Sequence, residues 1–249
     1  MNDYTNNYAS SYDRGGYAGN SGLPSPSAVF ASVMARVYGW MTVALMLTAG
    51  VAVYTANSMS LLQLIYGSQA GIWVLMIAEL GIVVTLSAAI NRLSPTTAAI
   101  MFLVYSALNG LTMATIFYAY EQSTIYQAFF ASALTFGGMS LYGYTTKKDL
   151  SGLGGILIMS LIGIVIASLV NLFFHSEGLS MILTYVGVFL FVGLTAYDTQ
   201  KIKLMTQASA ATGDSAMVGR VAILGALSLY LDFINLFLYI LRLFGRRSE

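Results

Sequence analysis

Residues 221–241 of the chain read VAILGALSLYLDFINLFLYIL, an apolar run that is flanked by Arg220 and Arg242. A helix needs about 20 predominantly apolar residues to cross the hydrocarbon core of a bilayer. The run meets that length, and Asp232 is the only acidic or basic side chain within it. It therefore predicts a transmembrane helix that carries one ionisable group near its middle.

Six further apolar runs precede this one, and together they indicate the fold class. Only 8% of the 249 residues are charged and 57% are hydrophobic, which is typical of membrane proteins and far from the balance of soluble domains. The runs are continuous and lack the short alternating pattern of a membrane barrel, so helices are predicted. We predict an all-α integral membrane protein with seven transmembrane helices, at 33–56, 71–91, 96–119, 125–146, 153–174, 179–200 and 221–243.

The basic residues between these runs predict the orientation of the chain. With a cytoplasmic N-terminus, Arg92, Lys147 and the segment 201–220 all lie inside, whereas the loop 57–70 has no Lys or Arg and lies outside. The alternation breaks at the end of the chain, because a seventh crossing places Arg242 outside. The last segment is therefore either a full span that violates the charge rule or a segment that re-enters.

The first 28 residues differ in composition from the rest. They are rich in Tyr, Asn, Ser and Gly and show no apolar periodicity, so we predict a disordered tail at 1–28 and a membrane domain at 29–249. The first apolar run is too long and begins too late for a cleaved signal peptide. We expect it to remain as a span.

Several function classes find no support in the composition. The basic residues do not cluster as a nucleic-acid phosphate backbone requires, so no nucleic-acid partner is expected. The chain has no cysteine and one histidine, His175, which makes thiolate or histidine metal sites improbable. No phosphate loop or nucleophile elbow is present, so we expect neither an enzyme nor a bound cofactor.

Asp232 is the strongest candidate for a functional residue. Ionisable groups inside a bilayer are costly and usually face a cavity or a partner. Asp232 belongs to a polar stripe at helical spacing, which should point into the bundle and form a polar cavity; its other members are Gly225, Ser228, Asn235 and Tyr239. The alternative is a buried, neutral aspartic acid that is hydrogen-bonded to a neighbouring helix.

Two further acidic residues fall within the apolar runs. Asp198 lies at the end of its run in LTAYDTQ (194–200), with Lys201 three residues later. It is either functional or an interfacial partner of Lys201 that contributes at most about 1 kcal/mol. Glu79 lies in the middle of the second run, and it is either a third member of a polar cavity or a protonated core residue.

Three segments carry a family resemblance: YGYTTKKDLS (142–151), GLTAYDTQKIK (193–203) and ALSLYLDFINLF (226–237). They resemble the Bax inhibitor family, also called the transmembrane Bax inhibitor motif family, and the likeness extends from about residue 36 to residue 245. Such long motifs are specific. The likeness is to bacterial inner-membrane members, which implies a multi-pass protein of the inner membrane.

The resemblance also implies an architecture and an activity. The last helix should be central and surrounded by the other six. Members are described as pH-sensitive calcium leak channels, with paired aspartates on the sixth and seventh helices as the sensor and an arginine on the second helix as a latch. Asp198 and Asp232 match the aspartates through their motifs, and Arg92 is the basic residue that could match the latch. The implied partners are the lipid bilayer, protons and transiently bound calcium.

A physical rationale supports such a pair. Two carboxylates within hydrogen-bond reach in a site of low dielectric constant cannot both ionise cheaply, so they share a proton. Raising the pH removes that proton, and the two charges then either separate or recruit a cation. Calcium prefers oxygen ligands, and Asn235 and backbone carbonyls could complete its shell.

The pairing meets one difficulty in the sequence. If the membrane surface lies near both Lys201 and Arg220, Asp198 is about one turn deep, whereas Asp232 is about 18 Å past Arg220 at 1.5 Å per residue. The two carboxyls meet only if the last helix begins well outside the hydrocarbon or the sixth helix lies deeper than its lysines suggest.

Two other functions are weighed against the leak. The chain could be an interaction protein that modulates a membrane-bound quality-control protease through its tail or basic loops, without transport activity. It could also be an intramembrane aspartyl protease. That reading is weaker, because Asp232 follows Leu-Tyr-Leu and lacks the Gly-x-Gly frame of those enzymes.

Overall fold

The computed structural model describes residues 26–212 and 214–245, and within them all regular secondary structure is helical. The all-α prediction is therefore confirmed. The helices are α1 (Pro26–Ala56), α2 (Met59–Tyr66), α3 (Gln69–Ala89), α4 (Pro95–Met113), α5 (Ile116–Ala119), α6 (Gln122–Thr145), α7 (Gly154–Phe174), α8 (Glu177–Thr212) and α9 (Ser215–Phe244), and a 3₁₀ turn at Ser151–Leu153 precedes α7.

Six segments of the described chain are both long and apolar enough to cross a membrane. They correspond to six of the seven predicted spans: Phe30–Ala56, Ala70–Ala89, Pro95–Ala119, Ser151–Phe174, Glu177–Ser209 and Ser215–Phe244. The remaining prediction, 125–146, coincides with α6. This helix has 24 residues and is long enough to cross, but serines, threonines and glutamines make it more polar than the others. The seventh crossing therefore stays a prediction.

The last helix occupies the centre of the bundle. Of the residues in the most apolar stretch of α9, 72% are buried, against 6% in the corresponding stretches of α3 and α7. α9 packs against α1, α4, α6 and α8. The predicted central position of the last helix is confirmed, and α3 and α7 lie at the periphery, where side chains such as Trp73 and Phe173 are exposed as a lipid-facing surface requires.

α9 is a single uninterrupted helix of 30 residues, about 45 Å long. It does not turn back within the bundle, so the structure favours a full span over the re-entrant alternative. Arg220 and Arg242 accordingly lie at opposite ends of the bundle. Residues 246–249, with the last two arginines, lie outside the described part of the chain.

The connection predicted at 201–220 is largely helical. α8 continues twelve residues past the predicted end of its span, to Thr212, and α9 begins at Ser215, six residues earlier than predicted. The lysines in this segment lie along α8 and do not end it, because a helix can extend beyond the hydrocarbon into water without losing its backbone hydrogen bonds. The short loop predicted at 57–70 likewise contains α2.

The N-terminal boundary also lies earlier than predicted. α1 begins at Pro26, so residues 26–28, which the sequence assigns to the tail, belong to the first helix. Proline is favoured in the first turn of a helix because its missing N–H has no intrahelical acceptor there. The rest of the predicted tail, residues 1–25, lies outside the described residues.

Capping side chains fix where two helices begin near the same end of the bundle. Ser94 Oγ accepts the N–H of Thr97 at 3.1 Å at the start of α4, and an Asp214 carboxylate oxygen accepts the N–H of Ala216 at 2.8 Å at the start of α9. Arg220 Nε then donates to the carbonyl of Leu93 at 2.9 Å. This bond ties the turn before α4 to the first part of the central helix.

Candidate functional site

Asp232 lies in the middle of the central helix and is 4% exposed. Its Oδ2 atom is buried and has no hydrogen-bond partner among the described protein groups. An ionised carboxylate that is buried without a partner costs several kcal/mol. The position is therefore compatible with a neutral acid or with a carboxylate that a cation neutralises, and it is unfavourable for a bare charge.

The polar stripe of α9 faces α8. At one end, a Cβ built on Gly225 would lie 3.0 Å from the Ile202 side chain. At the other end, a Cβ on Gly187 of α8 would lie 2.5 Å from the ring of Tyr239. Asp232 lies between these two contacts on the same stripe, so its side chain belongs to the seam between α8 and α9. The prediction that the stripe points into the bundle is confirmed.

Asp198 lies on the face of α8 that meets this stripe. Positions 187, 198 and 202 differ by eleven and four residues, which are close to three turns and one turn of a helix. Asp198 is half-buried, in contrast to the fully buried Asp232. Both carboxyls therefore belong to the seam between α8 and α9, which we call the α8–α9 seam.

The register of the two helices brings Asp198 and Asp232 to nearly equal depth. Asp198 lies 14 residues before the end of α8, and Asp232 lies 17 residues after the start of α9. The difference of three residues corresponds to about 4.5 Å along the helix axes. Helical side chains lean toward the N-terminus of their own helix, so in this antiparallel pair the two carboxyls lean toward each other. Their charges interact electrostatically.

Lys201 is the basic residue that acts on this pair. It is exposed and lies almost one turn past Asp198, and its charge interacts with both carboxyls. Its Nζ lies 6.0 Å from the centre of the Tyr197 ring, at the outer limit of a cation–π contact. The ammonium group therefore lies at one end of the seam, where it stays hydrated, and gives no buried ion pair to Asp232.

A chain of hydroxyl groups lies next to Asp198. Thr199 Oγ1 and Ser140 Oγ are 3.0 Å apart, and Ser140 is also hydrogen-bonded to the hydroxyl of Tyr38. These three side chains connect α8, α6 and α1. The sequence analysis did not identify them, although serine and threonine within apolar runs commonly form hydrogen bonds between membrane helices.

Gln200 fixes the loop beside the seam. Its Oε1 accepts the N–H of Leu150 at 2.7 Å, and its Nε2 donates to the carbonyl of Lys148 at 2.8 Å. Gln200 is 9% exposed, so both bonds are shielded from water. The loop that carries Lys147, Lys148 and Asp149 is therefore held against α8 two residues after Asp198.

Ser228 and Asn235 occupy the stripe on either side of Asp232 and are partly buried. Asn235 Nδ2 donates to the carbonyl of Leu231 at 2.8 Å, which leaves its amide oxygen as an acceptor. By the register above, Ser228 lies at the level of Asp198. The structure thus places both predicted cavity residues at the α8–α9 seam with the aspartates.

Glu79 belongs to a different cluster. Its carboxylate accepts a hydrogen bond from the Thr112 hydroxyl, which joins α3 to α4. It also lines a cavity of about 260 Å³ with Tyr105 and Leu231. Because Leu231 precedes Asp232 on α9, it points away from the α8–α9 seam. The structure therefore does not bring Glu79 together with Ser228 and Asn235.

Arg92 is also apart from the carboxyl pair. It is exposed in the turn between α3 and α4, next to Leu93, whose carbonyl is bonded to Arg220. Arg220 lies twelve residues before Asp232 on α9, a distance of about 18 Å. In this structure Arg92 does not reach the aspartates, so no latch contact is formed.

His175 is exposed at the end of α7, in a left-handed conformation with φ of 49°. This placement fits a solvated loop residue. Among the described residues, no group of three or more His, Cys, Asp or Glu side chains gathers to form a metal cage. The two aspartates therefore offer a cation a partial shell of protein carboxylates, which hydroxyl, amide and carbonyl oxygens would have to complete.

Known proteins resemble the chain over nearly its whole length. The family model described as "Inhibitor of apoptosis-promoting Bax1" matches residues 31–249. The inner membrane protein YbhL of Escherichia coli (strain K12) is 52% identical over 225 residues, which cover 90% of this chain and 96% of that protein. Uncharacterized proteins of Borreliella burgdorferi and Deinococcus radiodurans are each 44% identical, over 87% and 86% of this chain and over 92% and 90% of their own length.

Proposed function

The chain belongs to the Bax inhibitor-1 family of membrane proteins, and from that premise we propose that it is a passive, proton-regulated cation leak with calcium as the transported ion. We also propose that it resides in a bacterial inner membrane, as the printed name of its relative YbhL says of that protein. The basic connections would then face the cytoplasm together with the N-terminus.

The pair of carboxyls at the α8–α9 seam is the observation that carries this proposal. Asp198 and Asp232 lie about one turn apart in depth, lean toward each other and interact electrostatically. One of them is fully buried with an unpartnered oxygen. Such a pair can hold one proton between two oxygens or one cation between two charges, and the two occupants exclude each other.

Calcium suits the deprotonated pair as cargo. It prefers carboxylate, carbonyl and amide oxygens in a flexible shell, and the Ser228 hydroxyl and the Asn235 amide oxygen lie on the same stripe. Two carboxylates without a third acidic ligand give a weak site. A weak site supports conduction, because an ion must leave as readily as it enters.

The proton acts on this seam as a switch. In the protonated state the carboxyls can bridge α8 and α9, and in the deprotonated state the two charges repel unless a cation lies between them. The central helix contacts four other helices, so a change in its spacing from α8 reaches most of the bundle. The seam is thus a two-state element that pH and calcium bias in opposite directions.

A first experiment tests whether the protein conducts at all. The purified full-length chain is reconstituted into liposomes that contain a calcium-sensitive dye, and calcium entry is compared with that into protein-free liposomes at several pH values. We expect entry above the protein-free rate, with a rate that depends on pH. Entry no faster than in protein-free liposomes at every pH would overturn the leak and favour the alternative, a membrane interaction protein that modulates a protease.

A further inference from the structure

A groove separate from the carboxyl pair opens at the end of the bundle where α4 and α9 begin. Its volume is about 330 Å³, and three helices line it. α1 contributes Arg36 and Trp40, α4 contributes Ala99 and Ile100 with its first turn, and α9 contributes Gly219 and Ile223. The groove therefore touches the central helix from the side opposite the basic end of α8.

The rim of this groove is basic. Arg36 is exposed, and no ion pair joins it to a carboxylate of the described chain. Arg220 follows the lining residue Gly219, and its bond to Leu93 places it beside the turn that carries exposed Arg92. The described residues that line the groove include no acidic side chain. Three guanidinium groups thus lie around one opening.

The acidic residue that lies nearest along α9 does not neutralise this rim by its position. Asp214 caps the helix by accepting the N–H of Ala216, and it precedes the lining residue Gly219 by five residues. Arginine forms strong paired hydrogen bonds with phosphate oxygens. The rim therefore complements a phosphate group.

The floor of the groove is apolar and runs into the membrane. From Pro95 to Leu103 the lining of α4 covers eight residues, about 12 Å along the helix. Ile100 is 57% exposed, so this wall is open to the bilayer. Trp40 lies beside Arg36 in the same lining, and tryptophan favours the boundary between headgroups and acyl chains. A basic rim above an apolar floor matches a lipid in both halves.

We propose that this groove binds an anionic glycerophospholipid of the leaflet on the basic side of the protein. The phosphate lies at Arg36, with Arg92 and Arg220 around it, and one acyl chain lies along Ile100. Basic pockets between membrane helices bind anionic headgroups in this way. The bound lipid connects α1, α4 and α9, and it therefore stabilises the position of the central helix.

Two variants separate the two halves of the proposed contact. Arg36→Gln removes the exposed charge at the rim, and Ile100→Trp fills the floor from its lipid-facing side. Arg242→Gln is the control, since Arg242 is an exposed arginine at the opposite end of α9. The full-length proteins are purified in detergent, and equal amounts of phosphatidylglycerol and phosphatidylethanolamine are added. Bound lipid is then measured by mass spectrometry, and the unfolding temperature is recorded.

We expect the native chain and Arg242→Gln to retain phosphatidylglycerol in preference to phosphatidylethanolamine and to unfold at a higher temperature when it is bound. Arg36→Gln and Ile100→Trp should each retain about fivefold less of it. Equal retention of the two lipids by the native chain, or unchanged retention by both groove variants, would overturn the proposal. An equal rise in unfolding temperature with inorganic phosphate alone would show that a free anion suffices, and it would equally overturn a lipid site.

Discussion

The backbone of Gly143 in α6 lies directly against the backbone of Ala196 in α8, so that a Cβ at residue 143 would overlap the Ala196 carbonyl oxygen. The close approach occurs two residues before Asp198. It brings α6, with Ser140 and its hydroxyl chain, against the face of α8 that adjoins the carboxyl pair. The position of α8 in the bundle therefore depends on the absence of a side chain at this point.

The first prediction concerns this contact. Gly143→Ala should destabilise the protein by about 1–3 kcal/mol, because the added methyl group forces two backbones apart. The matched control is Gly138→Ala in the same helix, where nothing lies within 4 Å of the new Cβ. That variant should be neutral or stabilising by up to about 1 kcal/mol, since alanine is the better helix former. Unfolding in detergent measures both, and equal stability of the two variants would contradict the packing described.

The second prediction concerns the loop 146–150. Gln200→Ala removes two shielded hydrogen bonds to its backbone, each contributing about 1 kcal/mol. The amide of Leu150 should then exchange with deuterium faster than in the native chain. Gln207→Ala changes an exposed glutamine of the same helix and should leave the exchange unchanged. Native exchange at Leu150 in the Gln200 variant would show that the glutamine does not hold the loop.

A third prediction separates conduction from docking. Deletion of residues 1–25 removes none of the helices that form the carboxyl pair, so calcium entry and its pH dependence should persist. An interaction protein that docks through its tail should instead lose its function on this deletion. Loss of calcium entry in a truncated chain that is folded and correctly inserted would contradict the assignment of the leak to the helical bundle.

A fourth prediction supplies an internal control for pH. Asp149 lies in the loop outside the membrane spans, and the backbone N–H and hydroxyl of Ser151 hold its pKa below the usual value. A carboxyl with a lowered pKa stabilises the fold above its unfolded pKa, and that stabilisation is lost only as the pH falls through the folded value. Asp149 therefore stays ionised from about pH 6 to pH 8. Asp149→Asn should leave the pH dependence of calcium entry in this range unchanged, and a shifted profile would place the sensor in the loop.

The sequence predicts the membrane class, the central helix and the two seam aspartates, because each follows from the cost of polar groups in lipid. It does not predict the relation between α8 and α9. The lysines at 201 and 203 mark the membrane surface but not the end of a helix, and the continuation of α8 to Thr212 is what brings Asp198 level with Asp232. The depth difficulty in the sequence is thereby removed.

The grouping of polar residues was also beyond the sequence. Glu79 has no polar neighbour at helical spacing in its own run, and its partner Thr112 lies 33 residues away on α4. The hydroxyl chain of Tyr38, Ser140 and Thr199 spans three helices for the same reason. Periodicity gives the face of one helix, whereas contacts between helices depend on rotations and offsets that packing determines.

The most direct test of the leak is calcium entry into liposomes across a pH series for the native chain, Asp198→Asn and Asp232→Asn, with Asp149→Asn as the matched control. Asparagine keeps the size of aspartate and removes its titration. We expect entry through the native and control proteins to vary with pH, and entry through either seam variant to be independent of pH, since neither can hold a shared proton. An unchanged pH profile in both seam variants would contradict the account, because the carboxyl pair would then not be the sensor.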